Sequence, residues 1–503
     1  MEVLNHLLLG LESALTLTNL GYCFLGVLIG TFVGVLPGLG PVATLALLLP
    51  ITYALDPTSA IIMLAGIYYG SQYGGSTTAI LMNIPGEAAA VVTCIDGHKL
   101  AQKGRAGDAL GIAAIASFVA GTFATLLIAI ASPALTEAAM YFGAPEYFSL
   151  MVLGLVGAVV LSNGDLLKAF AMVLVGLLLG LVGTDVNTGE LRFTLGTLTL
   201  QDGIDFAVIS MGIYGVAEVL INLQALLNDP KRTLFPVGNP LPKPQAIKQS
   251  AGAISRGTIL GSLLGVLPGG GALLSSFASY TVEKKIRSHP NEVAVGNGNI
   301  RAVAGPEAAN NAGAQTSFIP MLTLGIPSNA VMALMMGALV IHNITPGPQV
   351  IESDPSLFWG LIVSMWIGNF FLVILNLPMV GLWVQILRIP YRVLYPIILA
   401  VCAIGVYSVN NNVTDIALMA AFGIAGYLFY HLRCEPAPLI LGFVLGPMME
   451  ENLRRAMLLS RGDPSIFFMS PISAILLLIA LLLLLSTLLP SFKKVRNDAF
   501  IED

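Results

Sequence analysis

Three observations predict an all-α polytopic membrane protein of two inverted repeats with broken or re-entrant helical hairpins. The first is composition: of 503 residues, 56% are hydrophobic and 10% charged, against roughly 45–50% and about 25% in soluble domains. A mean hydropathy of +0.85 cannot be hidden in one core, because a soluble domain needs a polar skin that grows with its mass. The second is a series of long apolar segments, roughly eleven or twelve at the length of about 20 residues that a bilayer requires. The third is an internal repeat whose copies are both broken by proline and glycine.

A net charge of −5 argues against a nucleic-acid partner. Cys23, Cys94, Cys402 and Cys434 form no CxxC pair and read as small core hydrophobes. The first nineteen residues hold no Lys or Arg, so no cleavable signal peptide is expected.

Charge then orients the segments. Basic residues gather at Lys99, Lys103 and Arg105, at Lys231, Arg232, Lys243, Lys248 and Arg256, at Lys284, Lys285 and Arg287, and at Arg388 and Arg392. The positive-inside rule places these clusters in the cytoplasm. The N-terminal stretch with Glu2 and Glu12, the link with Glu137 and Glu146, and the link with Glu352 and Asp354 are placed outside. Segment 254–282 is flanked by basic clusters on both sides, so it enters and leaves from the cytoplasm as a hairpin broken at Pro268, Gly269, Gly270 and Gly271. Segment 20–55 has no basic flank and breaks at Pro37, Gly38 and Gly40; it opens to the outside.

These two hairpins are copies of one another. Residues 26–41 and 257–272 are identical at eight of sixteen positions, and Gly26, Gly30, Gly34, Pro37, Gly38 and Gly40 all recur. Residues 82–86 resemble 324–328, and 157–163 resemble 405–411, in the same order. The expected organisation is a first repeat over 1–227 (hairpin 20–55, interrupted segment 58–92, further spans), a cytoplasmic linker over 228–253, and a second repeat over 254–455 (hairpin 254–282, interrupted segment 307–345, further spans). A C-terminal span and tail fill 456–503. Whether 436–453 spans or dips decides the side of Arg454, Arg455 and Arg461. Opposed hairpins place a site at mid-membrane and permit alternating access.

The GxxxGxxxG ladders themselves serve helix packing. Broken membrane helices are different, because freed N–H and C=O groups are costly in hydrocarbon unless something satisfies them. The tips at Gly38 and Gly40, and at Gly269, Gly270 and Gly271, with Thr44 and Ser275 just beyond, present helix N-termini suited to an anion. No Lys or Arg lies in 36–44, 70–87, 268–276 or 310–330, so a carboxylate would be held by backbone dipoles and neutral donors. Such donors crowd both interrupted segments: Ser71, Gln72, Ser76, Thr77, Thr78, Asn83 and Gly86 in the first, Asn310, Asn311, Gln315, Thr316, Ser317, Ser328 and Asn329 in the second. Their oxygens also suit Na⁺. Glu87 and Glu307 bracket these segments; a carboxyl there either lies near an interface or, with Glu87 the candidate, carries a coupling proton. Asn410, Asn411 and Asn412 read as a solvated turn.

Enzyme signatures fail. Residues 38–43 match GxGxxA by letters but lie in an apolar run without a βαβ context. There is no GxxxxGK[ST] loop and no HExxH, and His6, His98, His289, His342 and His431 are too dispersed for a metal site. No enzyme, metal or cofactor is expected beyond Na⁺ or H⁺ as coupling ion.

The paired Gly-Val-Leu-Pro-Gly runs at Gly34 and Gly265, Asn-Ile-Pro-Gly-Glu at Asn83, Gly-Pro-Glu-Ala-Ala-Asn-Asn at Gly305 and Leu-Gly-Ile-Pro-Ser at Leu324 resemble the large membrane subunit of the tripartite tricarboxylate transporter family over nearly the whole chain. The resemblance implies a bacterial inner-membrane permease working with a small membrane subunit of about four spans and a periplasmic solute-binding protein. It also implies symport of di- and tricarboxylates such as citrate with a cation. An elevator-like movement is the expected mechanism by analogy. The alternative is a channel or exporter for small organic anions without a binding protein.

Overall fold

The apolar sequence folds here as helix almost throughout. The computed structural model describes residues 2–36, 40–139, 141–160, 162, 165–185, 188–228, 237–267, 271–286, 292–387 and 391–487. Pro37, Gly38, Pro268, Gly269 and Gly270 lie outside the described residues, as do Asn163, Lys231, Arg232, Arg287, Arg388 and the C-terminal tail.

The first half comprises α1 (Glu2–Ala14), α2 (Leu17–Val35), α3 (Pro41–Thr52), α4 (Pro57–Met82), α5 (Ala106–Ala139), α6 (Ala144–Val160), α7 (Leu166–Gly180) and α8 (Phe206–Gln224), the last containing a π-helical turn. The second comprises α9 (Pro244–Leu264), α10 (Gly271–Lys285), α11 (Arg301–Thr316), α12 (Ala330–Ile341), α13 (Pro355–Asn376), α14 (Tyr391–Asn410), α15 (Val413–His431), α16 (Ala437–Leu459) and α17 (Pro471–Ser486). A two-stranded antiparallel ribbon, β1 (Gly183–Thr184) and β2 (Leu191–Arg192), connects α7 to α8. Prolines start α3, α4, α13 and α17, where the missing N–H is not needed and φ is already set.

Among the described residues, five helices are long and apolar enough to cross a membrane: α2, α5, α8, α13 and α15. Shorter apolar helices include α3, α6, α7, α12 and α17. This is an all-α, multi-pass membrane protein. Helix breaks fall at matching places in both halves. α2 stops at Val35 and α3 starts at Pro41; α9 stops at Leu264 and α10 starts at Gly271. The next break also recurs. α4 ends on left-handed Asn83 (φ 59°), and the short helix Phe318–Leu324 after α11 ends on left-handed Gly325 (φ 68°). Each lies two residues before a proline, and each stretch then turns extended at Glu87 or Asn329 before a new helix begins. Of Asn410 to Asn412, expected as one turn, Asn410 ends α14, left-handed Asn411 (φ 52°) follows it, and Asn412 caps α15.

Small residues decide which helices meet. A Cβ at Gly26, Gly30 or Gly34 of α2 would come 2.3, 2.3 and 2.4 Å from the carbonyl oxygens of Met63, Ile67 and Ser71 on α4. A Cβ at Gly257, Gly261 or Gly265 of α9 would meet those of Gly305, Ala309 and Gly313 on α11 at 2.2, 2.4 and 2.5 Å. Backbones this close leave no room for a methyl group. Gly30→Ala should therefore cost about 1–3 kcal/mol of overpacking, seen as a lowered melting midpoint of the purified protein. Gly21→Ala, on the same helix with nothing within 4 Å, should leave the midpoint unchanged or raise it through helix propensity.

The helices sort into a core and a periphery. In the core, α2 and α4 pack against each other, as do α9 and α11; α10 lies on α11, α5 on α11, and α13 across α1, α2, α4 and α5. The periphery pairs helices across the halves: α7 with α16, and α15 with α8. Contacts between the two groups run chiefly through α3, against α8 and α14, and through α12, against α16.

Basic clusters far apart in sequence share one end of the core. Lys99 and Lys103 donate to the carbonyls of Gly296 and Asn297, beyond the cluster of Lys284 and Lys285. Buried Asp96 pins the same loop by accepting from the N–H groups of Gly296, Gly298 and Asn299 and from the Tyr280 hydroxyl. The far end of α16 meets the ribbon: Arg192 and Arg454 both pair with Asp185 and Glu450. α16 is thus one continuous 23-residue helix through Pro447.

Candidate functional site

Where α3, α10 and α12 begin, the core faces the periphery across a cavity of about 410 Å³, within the range of small-molecule sites. Its core side is made of helix starts. These are Gly40 to Ala43 of α3, Ala272 and Leu273 of α10, Asn329 to Val331 of α12, and Pro85 to Ala89, where a short 3₁₀ turn begins. The start of α16, at Ala437 and Pro438, adds a fourth helix end from the periphery.

First-turn N–H groups have no intrahelical partner. Gly40 has no side chain to cap those of Val42 and Ala43, while Asn329 caps only the Met332 N–H of α12. Several helix ends, each worth up to about 2 kcal/mol to an anion in partly buried geometry, can together hold a carboxylate. Among the described residues, no Lys, Arg or His lines the cavity. Three carboxyl side chains do: Glu87 from the core, Glu218 of α8 and Glu435 before α16. Asn310 Nδ2 donates to Glu87 Oε1 at 2.7 Å, and Asn222 Nδ2 donates to Glu218 Oε1 at 3.0 Å. Among the described residues, Gln72 Oε1 and the Tyr214 hydroxyl have no partner where they are buried on the cavity wall, each a deficit of about 1–3 kcal/mol that a ligand group can remove.

The geometry joins a cradle of backbone donors to an acidic wall and two unmatched polar atoms. Its core side falls within residues 20–441, which the model of a known family matches. The chain belongs to the tripartite tricarboxylate transporter TctA family. An uncharacterized 52.8 kDa protein in the TAR-I ttuC′ 3′ region of Agrobacterium vitis is 56% identical over the full length of both chains. An uncharacterized protein in the TAR-II ttuC′ 3′ region of the same organism is 59% identical over 243 residues, 48% of this chain and all of its own. No solved structure matches the chain.

Of the residues singled out in this TctA-family sequence, Gly40, Gln72, Gly86, Glu87 and Asn329 line the cavity. Gly86 also lets its loop rest on α4, since a Cβ there would lie 2.4 Å from Gly75 Cα. Gly271 adopts φ +45° beside the Asn329 amide. Most other donors lie on intact helix, not on unwound backbone, and bond to it. Thr44 donates to Gly40 O, Ser71 to Tyr68 O, Thr78 to Val35 O, Ser275 to Gly271 O, Thr316 to Ala312 O and Ser317 to Gly313 O. Thr77 sits 3.5 Å from Tyr73 O, Asn83 terminates α4, and Ser328 donates to Ser317 O.

A third set bridges helices. Ser76 donates to Glu307, Asn310 to Glu87 and Asn311 to Ser117, while Gln315 accepts from Thr125 at 3.5 Å. Neither acid of the pair lies at an exposed edge: Glu307 is 1% and Glu87 8% exposed. Tyr68, Tyr214, Glu218 and Glu435 were not anticipated. An isolated acid inside an apolar run was the available signal for Glu218.

Proposed function

We propose that this TctA-family chain is the permease subunit of a binding-protein-dependent secondary transporter in a bacterial inner membrane. It takes up di- and tricarboxylates, such as citrate, together with H⁺ or Na⁺. The observation that carries this reading is the cavity itself: helix starts from both broken hairpins converge where core meets periphery, with no basic side chain and three acids among the described residues. An anion entering alone would meet Glu87, Glu218 and Glu435 as like charges. Entry with a cation, or with a proton on an acid of the wall or close behind it, lowers that repulsion, so coupling follows from the chemistry of these carboxyls. Glu87, facing the cavity, is the acid placed to sense the substrate.

The two halves are read as inverted copies. Support comes from the exchanged pairing of α7 with α16 and α15 with α8, and from the basic clusters gathered at one end. In this reading the core carries the substrate past the periphery. The two hairpins pack differently, α3 on α8 and α14 and α10 on α11 and the Ala88–Ala90 turn, as alternating access requires of a site open to one side at a time. A small membrane subunit and a periplasmic solute-binding protein complete the system; the binding protein concentrates substrate, so the membrane site need not be tight.

Uptake of labelled carboxylates by cells expressing the chain with its partner subunits tests the reading. Saturable uptake that collapses with the cation gradient, and without the binding protein, is expected. Uptake that never saturates and ignores both would mark a channel instead.

A further inference from the structure

Glu307 is buried in the core on α11, away from the substrate cavity, with no cationic partner among the described residues. Its carboxyl oxygens each meet one hydroxyl from the first half, Ser76 Oγ at 2.6 Å and Thr93 Oγ1 at 2.5 Å. Ser76 also borders a second, much smaller chamber of about 10 Å³, room for about one water. Tyr73, Thr77, Ser117 and Asn376 line it too, and it shares no lining residue with the substrate cavity. Asn376, 7% exposed, has no partner for its Oδ1 among the described residues. One turn along α11 from Glu307, Asn310 holds Glu87 through its amide and keeps its own Oδ1 unpartnered.

We propose that Glu307 carries the co-transported proton and that the chamber is its water port. This rests on the cation-coupled reading above and names the ion and its carrier. Both oxygens of Glu307 are met at O–H···O distances, so a proton suffices to neutralise the group, where Na⁺ would need a cage of oxygen ligands. Loading is a relay. A hydronium in the chamber gives a proton to Ser76 Oγ while the Ser76 O–H proton passes to Glu307 Oε2; one O–H bond forms on the carboxyl, one breaks on the hydronium, and the +1 and −1 charges cancel. Groups facing Glu307 are Tyr73 from α4, Cys94 from the π turn Cys94–His98, and Glu87 from the loop after α4. The cations Arg256 of packed α9 and Arg301, at the start of α11 itself, both pair with Glu283.

The test is Glu307→Gln in the complete transporter, reconstituted into vesicles with labelled carboxylate. Accumulation driven by a pH gradient should fall to the level of empty vesicles, while carboxylate exchange persists and loses its pH dependence. In infrared difference spectra, the protonated-carboxyl band that titrates in wild type should vanish in Glu307→Gln and survive in Glu87→Gln. Wild-type accumulation with unchanged pH dependence in Glu307→Gln, or a band lost only with Glu87, overturns the assignment. If Glu307→Gln does not fold, Asn376→Leu, which fills the chamber, decides: proton-driven uptake should slow with exchange unchanged, and an unaltered rate rejects the port. Wild type that exchanges no carboxylate would sink the transport reading itself, a result distinct from these.

Discussion

A disulfide between cysteines placed at Pro50 and Gly405 is expected to stop uptake, and a reductant to restore it. Pro50 lies on α3 of the core and Gly405 on α14 of the periphery; a Cβ at Gly405 stands 3.4 Å from that of Pro50, close to the ~3.5–4.5 Å that disulfides span. If the core moves against the periphery, one covalent bond here arrests it, because α3 is among the main contacts between the two groups. The experiment needs Cys23, Cys94, Cys402 and Cys434 replaced. A matching bond between Ser13 and Gly360, where a Cβ at Gly360 would lie 3.1 Å from Ser13 Cβ, joins α1 to α13 inside the core and should leave uptake intact. Full activity of the oxidised Pro50–Gly405 pair would remove the relative movement from the account.

The second large effect is electrostatic. Ala272 lies at the start of α10, on the cavity wall. Ala272→Asp puts a carboxylate where the proposed reading holds the substrate's own. Two like charges about 4 Å apart repel by about 4 kcal/mol at an effective dielectric of 20, about three decades of affinity. An acid in the first turn favours the helix, so the substitution should leave folding intact while KM rises steeply. Ala272→Asn, neutral and of similar size, should cost far less. Equal losses for Asp and Asn would mean the wall is read by shape and not by charge.

How much of this was legible in sequence depends on how local each cause is. The ends of α2 at Val35 and α9 at Leu264 and the glycine ladders were readable because proline and glycine act on their own backbone and immediate neighbours. The ladders' partners, Gly66, Gly70 and Gly74 of α4, fit by the same spacing. The donors were over-read. Ser and Thr in an apolar helix return their proton to a carbonyl one turn earlier, as Thr31 does to Val27 and Thr316 to Ala312, so a crowd of hydroxyls is not in itself a lined cavity. The acidic wall was hidden for another reason. Glu218 and Glu435 belong to peripheral segments distant in sequence from the hairpins, and only the packing of α8 and α16 brings them to the helix starts. Glu307 had the same difficulty: its partners Ser76 and Thr93 come from the other half.

The central claim is that a carboxylate is held by helix starts without a basic side chain. It is tested most directly by determining the structure with a saturating carboxylate. The account predicts carboxylate oxygens within hydrogen-bond distance of first-turn N–H groups of α3, α10 and α12, at Val42 and Ala43, Leu273 and Val331. A carboxylate bound elsewhere on the protein, on a lysine or arginine, would contradict it.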